Sequence, residues 1–507
     1  MDPPAPDAAI MSSHPPEETL DPEDWPRLRA LAHRALDDAL DGLQQLRDRP
    51  VWQPTPADVA AQFQAPLPRT PQGADAAYQD YRQWVAPWQM GNTHPRFWGW
   101  FMGNGTAFGA VGDLLAATLN PNMGGGNHVG NQVEAQVVDW CKQIVGLPPA
   151  SGGLLVSGAS MANFVGLAVA RGAGADVDVR AQGVAAMARP LRFYASTEVH
   201  SCIQKALELL GHGSAALHRI AVDDRYRIDI GALEQAVTAD RAAGFRPCAV
   251  IGSAGTINTG SVDDLAALAA FCRRERLWFH VDGAIGAVLA LSPRHRALVQ
   301  GMEHADSVAL DLHKWLHIPF EAGCAIVRDR AAHRATFALT PEYLKHAQRG
   351  LAAGADWFSD YGLQLSRGFR ALKVWLSFKE HGLDKYGRLI DQNIAQAARL
   401  AALVRAEPAL ELLMAPPLNI VCFRYRGAGD EQARLNALNE ELLIRLHERG
   451  VAAPSYTTLA GRYWLRAAIV NHRTRDEDLV MLIDEVLTIG RALRSGVAPP
   501  EPAHRPE

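Results

Sequence analysis

The chain has 507 residues, 48% hydrophobic and 21% charged, with a formal net charge of −5. Those values fit an ordinary soluble globular protein of about two to four domains, or one large α/β core with smaller appendages. No basic run supplies a nucleic-acid footprint, and no apolar stretch is long or clean enough to span a bilayer.

Residues 1–24 are rich in proline and acid and carry neither the apolar block of a signal peptide nor the arginines of a transit peptide. They read as a disordered tail, as do residues 494–507. The six cysteines (Cys141, Cys202, Cys248, Cys272, Cys324 and Cys422) show no paired spacing, and the histidines form no HExxH cluster. No disulfide framework and no metal site is expected, and the pattern fits a reducing cytoplasm.

In chain order, "WPRLRALAHRALDDALDGLQQLR" at 25–47 places Leu28, Leu31, Leu36 and Leu43 on one helical face. Such an amphipathic helix needs a surface from elsewhere, and a second subunit is one candidate. A Pro- and Gln-rich connection follows to about Gly73, then an aromatic segment, "THPRFWGWFMGNGTAFG", and a Gly/Asn segment, "NPNMGGGNHVGNQ". We assign residues 25–92 to an N-terminal helical segment.

From about Gly152 short β-branched and aliphatic runs alternate with helical patterns: "GLLVSGAS", "RFYASTEV", "ALHRIAVDD", "CAVIGSAGTINTG", "LWFHVDGAIGA", "SVALDLHKW" and "GCAIVRD". This predicts a large wound, mostly parallel α/β sheet over residues 93–390. Beyond it, "LNIVCFRY", a helix over 432–448, "YWLRAAIVN" and a helix from about Asp476 form a smaller C-terminal α+β domain, residues 391–493.

Polar residues cluster at the strand ends, where wound sheets collect ligands. "SGASMAN" puts Ala159 and Ser160 between a strand and a helix, where small residues let N–H groups approach a phosphate. "STEVHSC" puts His200 at a strand-to-helix junction, able to lie over a flat ring. "HVDGA" ends a strand with Asp282, suited to pair with a protonated heterocyclic nitrogen. "HKW" places Lys314 one helix and one strand later, and a lysine in a partly buried site can form a Schiff base with an aldehyde. Each residue taken singly has an ordinary structural explanation. Together, in this order, they meet the needs of pyridoxal 5'-phosphate.

On these motifs the sequence resembles the group II pyridoxal-phosphate decarboxylases, which include the aromatic L-amino acid and glutamate decarboxylases. The resemblance covers about Thr93 to Gly382. It implies the aspartate-aminotransferase-type fold (the PLP-dependent transferase fold) and decarboxylation of an L-amino acid through Lys314. It further implies Asp282 at the pyridine nitrogen with Ala284 against the ring, His200 stacked on it, Ala159 and Ser160 at the phosphate, and His313 and Thr256 as further cofactor contacts. "TPEYLKH" resembles the loop whose tyrosine delivers a proton after carbon dioxide leaves, which maps to Tyr343. "LSRGFRALKVW" maps an active-site arginine to Arg367, and "THPRFWGWF" maps substrate-lining residues to Trp100 and Phe101. A homodimer with shared active sites is also implied, with Tyr343 and part of the pocket crossing between subunits.

The chain departs from its relatives at several points. Gly283 loosens a turn that often reads Asp-Ala-Ala, and Ile257 replaces a hydroxyl. Asp311-Leu312 stands where aromatic decarboxylases of animals often have Asn-Pro, and an aspartate repels phosphate unless an N–H or a cation intervenes. The run Gly124-Gly125-Gly126 falls where bulkier pocket residues are common. An aromatic substrate is the first expectation. An acidic amino acid, an aldehyde-synthase outcome and a non-catalytic protein on the same scaffold are the alternatives.

Overall fold

Aspartates set the helix starts in the wound region. Asp229, Asp264 and Asp329 each precede a helix (Ile230–Ala242, Leu265–Glu275, Arg330–Phe337), and each side chain accepts a first-turn backbone N–H. Such caps satisfy donors that a helix leaves open. The computed structural model describes residues 18–339, 347–354, 357–427 and 431–496.

The strands, in chain order, are β1 (Phe97–Trp98), β2 (Gly152–Val156), β3 (Leu191–Ser196), β4 (Leu217–Ile220), β5 (Arg246–Ser253), β6 (Trp278–Asp282), β7 (Ser307–Asp311), β8 (Gly323–Val327), β9 (Leu410–Leu412), β10 (Ile420–Tyr425), β11 (Ala453–Leu459) and β12 (Arg462–Ala468). Seven of them form one sheet in the order β2-β8-β7-β6-β5-β3-β4. All its pairings are parallel except those of β8, which runs antiparallel to both β2 and β7. Residues of β2, β7 and β8 are buried throughout, as expected of strands covered on both faces.

The remaining five strands form a second sheet, β1-β11-β12-β10-β9. The aromatic segment contributes β1 to it, with Phe97 paired to Ala453 and Trp98 to Pro454. Trp98 is fully buried in that sheet's core and its Nε1 donates to Thr474 Oγ1 at 3.1 Å. The aromatic residues thus close the small C-terminal sheet.

The described chain divides into two compact units. One comprises the chain up to Gln44 together with Pro56–Pro87; the sheets belong to the other. In the first, the helix Trp25–Gln44 is tied to the helix Ala74–Asp80 by Arg27 and Arg34, both 2.9 Å from Asp75. Of its apolar face only Leu31 is buried, while Leu28, Leu36 and Leu40 stay exposed. Among the described residues no helix is long and apolar enough to cross a membrane, and no cluster of potential metal ligands occurs.

Candidate active site

The carboxyl ends of β5, β6 and β7 and the start of the helix Ala159–Gly174 open into a cavity of about 360 Å³. A volume of that order suits a small cofactor or metabolite. Strand β6 ends on Asp282, 7% exposed, whose Oδ1 accepts the Ala284 N–H at 3.2 Å. That bond fixes the direction of the carboxylate. Strand β7 ends on Asp311, and the turn after it carries His313 and Lys314.

Lys314 keeps 21% of its side chain exposed, and its Nζ lies 3.0 Å from Asp311 Oδ2. The His313 ring is tilted against Phe320, with centroids 4.3 Å apart, and its Nδ1 accepts the Ala322 N–H at 3.2 Å. Burial lowers its pKa, so a neutral ring sits there. On the opposite wall, His200 caps the helix Ser201–Leu209, its Nδ1 accepting the Cys202 N–H at 3.2 Å. That contact leaves the imidazole proton on Nε2. Burial lowers its pKa as well, Asp282 opposing and Lys314 reinforcing the effect. An uncharged flat ring results.

Two glycines pack closely beside the turn that carries His313. A Cβ on Gly158 would meet His313 Cε1 at 3.0 Å, and one on Gly323 would lie 2.6 Å from the Gly158 Cα. Ala159 and Ser160 open the helix beyond, where first-turn N–H groups favour an anion. Thr256 is buried on a third wall, its hydroxyl within 3.0 Å of Thr259 Oγ1. The turn behind it is clamped from the second sheet: Arg466 on β12 donates to the Ile257 carbonyl at 2.8 Å, and Thr457 on β11 donates to Asn258 Oδ1 at 2.8 Å.

Eight of the sequence-predicted residues therefore line one cavity: Ala159 and Ser160, His200 and Thr256, Asp282 and Ala284, His313 and Lys314. Three others lie elsewhere. Phe101 is buried with its ring edge-on to Trp315 at 5.8 Å, and Trp100 is 57% exposed; neither lines the cavity. Arg367 is not a cavity residue either. Its guanidinium is buried in an ion pair with Glu134 and donates at 2.7 Å to both the Met123 and Leu155 carbonyls. A guanidinium so engaged holds loop, helix and strand together in this chain rather than reaching a ligand. Tyr343 lies outside the described residues.

Sequence reading passed over several lining residues. Glu198 stands in the quoted "STEVHSC" and accepts from Asn258 Nδ2 at 2.9 Å. Buried Asn163 bridges His280 Nε2 at 2.7 Å and Cys202 Sγ at 3.3 Å. Phe320 and Glu321 complete the wall near His313. Glu198, inside "STEVHSC", and Asn163, at the end of "SGASMAN", carried a positional signal; Phe320 and Glu321 carried none.

The chemistry of this donor set fits a phosphorylated pyridine aldehyde. A helix N-terminus can take the phosphate, a strand-end carboxylate can face the ring nitrogen, a neutral imidazole can cover the ring, and a lysine amine can meet the aldehyde.

Fold and site together define a pyridoxal-phosphate enzyme. The pyridoxal-dependent decarboxylase conserved domain matches residues 56–426, and the chain belongs to that family. It is a carboxy-lyase acting on an amino acid, with pyridoxal 5'-phosphate as cofactor. The chain is 32% identical, over 90% of its length and 94% of the relative's, to an aromatic-L-amino-acid decarboxylase of Bacillus atrophaeus. It is 29% identical to a phenylacetaldehyde synthase of Arabidopsis thaliana, over 89% and 93% of the two chains. A crystal structure of Oryza sativa TDC with PLP and tryptamine superposes with a TM-score of 0.86 at 26% identity, covering 94% of this chain and all of that one.

Proposed function

We propose that this enzyme decarboxylates an aromatic L-amino acid to the corresponding amine. The observation that carries the reading is the convergence of Lys314, Asp282 and His200 on one cavity, in a chain similar along its length to an aromatic-L-amino-acid decarboxylase. When bound, pyridoxal phosphate supplies a sink for the electron pair released as the carboxylate leaves.

The protein's part is positioning and electrostatics. Asp282, held by the Ala284 N–H, presents a negative charge from the end of β6. His200 offers an uncharged face and keeps water off that side of the cavity. Ala159 and Ser160 start the helix whose N-terminus faces the anionic end, the Ala159 N–H itself being held by Asp311 Oδ1. Lys314 is the covalent anchor, and its Nζ can hold or pass a proton at the cavity wall. In this reading Tyr343 gives the final proton to the α-carbon.

We also propose a cytoplasmic homodimer with active sites completed across the interface. All six cysteines are free and buried, in keeping with a reducing compartment. The uncovered Leu28, Leu36 and Leu40 offer an apolar face to a second copy.

The test is a screen of the twenty amino acids for carbon dioxide release, with the organic product identified. Release from tryptophan, tyrosine or phenylalanine with formation of the amine supports the proposal. Release from glutamate or aspartate alone overturns the aromatic assignment. Carbon dioxide released together with aldehyde, ammonia and peroxide, with consumption of oxygen, favours the aldehyde-synthase alternative, in which oxidation follows decarboxylation; one relative is named a phenylacetaldehyde synthase. Mixing Lys314→Ala with Tyr343→Phe subunits and recovering activity supports shared sites; a monomer on sizing rejects them.

A further inference from the structure

Asp311 ends β7 with its carboxylate turned back onto the helix Ala159–Gly174. It is 3% exposed and fully engaged. Oδ1 accepts the Ala159 N–H at 2.6 Å and lies 3.6 Å from His313 Nε2, while Oδ2 lies 3.0 Å from Lys314 Nζ. Glycines enclose it: a Cβ on Gly158 would come within 3.3 Å of Oδ1, and one on Gly323 within 3.0 Å. The pocket around this carboxylate is shaped to its size.

Ala159 is the first residue of a sixteen-residue helix, and its N–H is among the donors best placed to receive an external anion. Here that donor is already taken by an internal one. The same carboxylate holds the cation of Lys314 at the cavity wall.

We propose that Asp311 is a positioning residue with two opposed effects: it holds Lys314 in place, and it competes with the cofactor's phosphate for the N-terminus of this helix. The chain therefore receives a phosphorylated ligand by displacing a built-in anion. Because the carboxylate and the phosphate carry like charge, they cannot share that donor without cost. A neutral isostere removes the competitor and, with it, the charge that restrains the lysine. The inference rests on the cofactor, not on the identity of the amino acid.

The two effects separate experimentally. Full-length, cofactor-free wild type and Asp311→Asn are titrated calorimetrically with inorganic phosphate, and with pyridoxal, which lacks phosphate, by visible absorbance. Asp311→Asn should bind phosphate about tenfold more tightly and attach pyridoxal more slowly. A general loss of structure would weaken both. Phosphate affinity that is unchanged or lower overturns the proposal, as does unchanged pyridoxal attachment. Asp311→Ser repeats the phosphate arm with a smaller neutral side chain. Lys314→Ala, which leaves the carboxylate without its cation, should weaken phosphate binding instead. Borohydride reduction of wild type with pyridoxal 5'-phosphate and peptide mapping provide the separate check: attachment at another lysine defeats the cofactor assignment whatever Asp311 does.

Discussion

Gly103 lies directly behind the turn that carries Lys314. A Cβ at position 103 would sit 2.4 Å from the Lys314 carbonyl oxygen and 2.1 Å from that of His313. No side chain fits there unless backbone moves. The aromatic segment thus acts on the site from behind, as a buttress for the lysine, while Trp98 anchors the same segment in the second sheet. Gly103→Ala should leave the chain folded but misplace Lys314, lowering turnover about a hundredfold. Borohydride-fixed cofactor per chain, measured beside kcat, checks it.

Asp282 should matter to chemistry more than to attachment. Its carboxylate is held by Ala284 and faces the cavity. Asp282→Asn is expected to lower kcat by about 10²–10³ while Lys314 is still trapped by borohydride. Loss of both together would show that the residue builds the site rather than tuning it.

The Arg367–Glu134 pair has a structural signature. Both side chains are at most 1% exposed, so cutting one strands the other. Arg367→Met should destabilise the protein by about 3–5 kcal/mol, and adding Glu134→Gln should restore part of that. Denaturant unfolding measures it. If Arg367→Met instead raises KM with stability unchanged, the residue meets substrate, as the resemblance implied.

Buried histidines make the fold acid-labile. Burial lowers His280 and His94 to about 3 and His333 and His472 to about 4. Each has a folded pKa below its unfolded value near 6.5, so the unfolded chain takes up protons first as pH falls. The stability they contribute is complete above 6.5 and is lost between there and 3–4, at up to about 1.4 kcal/mol per pH unit for each. The melting temperature should fall steadily from pH 7 to pH 5. His280 is held by Ser307 and Asn163 at 2.7 Å each, and His280→Gln should flatten part of that slope. A melting temperature constant over this range would contradict the assignment.

Strand-end chemistry was the most readable part of the sequence. Asp282, Lys314 and Ala159 follow buried apolar runs, and a buried strand can release a polar side chain only at its end, so position and role are encoded together. The mostly parallel sheet was legible for the same reason. The aromatic segment was not: Trp100 and Phe101, mapped to the pocket, read equally as core beside Trp98, because aromatic area is useful in both. The structure puts Phe97 and Trp98 into the second sheet, by pairings across more than 350 residues that no local pattern reveals. Arg367 misled differently. A motif gives a residue's place in the chain but not its partner, and Glu134 lies more than 230 positions away.

The clamp of Arg466 and Thr457 on the turn at 257–258 bears on biosynthesis. Every residue proposed to touch the cofactor has been translated by position 314, yet the turn behind Thr256, held until then by its own hydrogen bonds and by Glu198, gains its clamps from β11 and β12 only at the end of translation. A nascent chain stalled before β12 should carry the full set of reactive groups and still fail to retain the vitamin. The expected outcome is that stalled chains retain the vitamin only once β12 has been made, which pull-down of ribosome-bound chains with labelled cofactor measures.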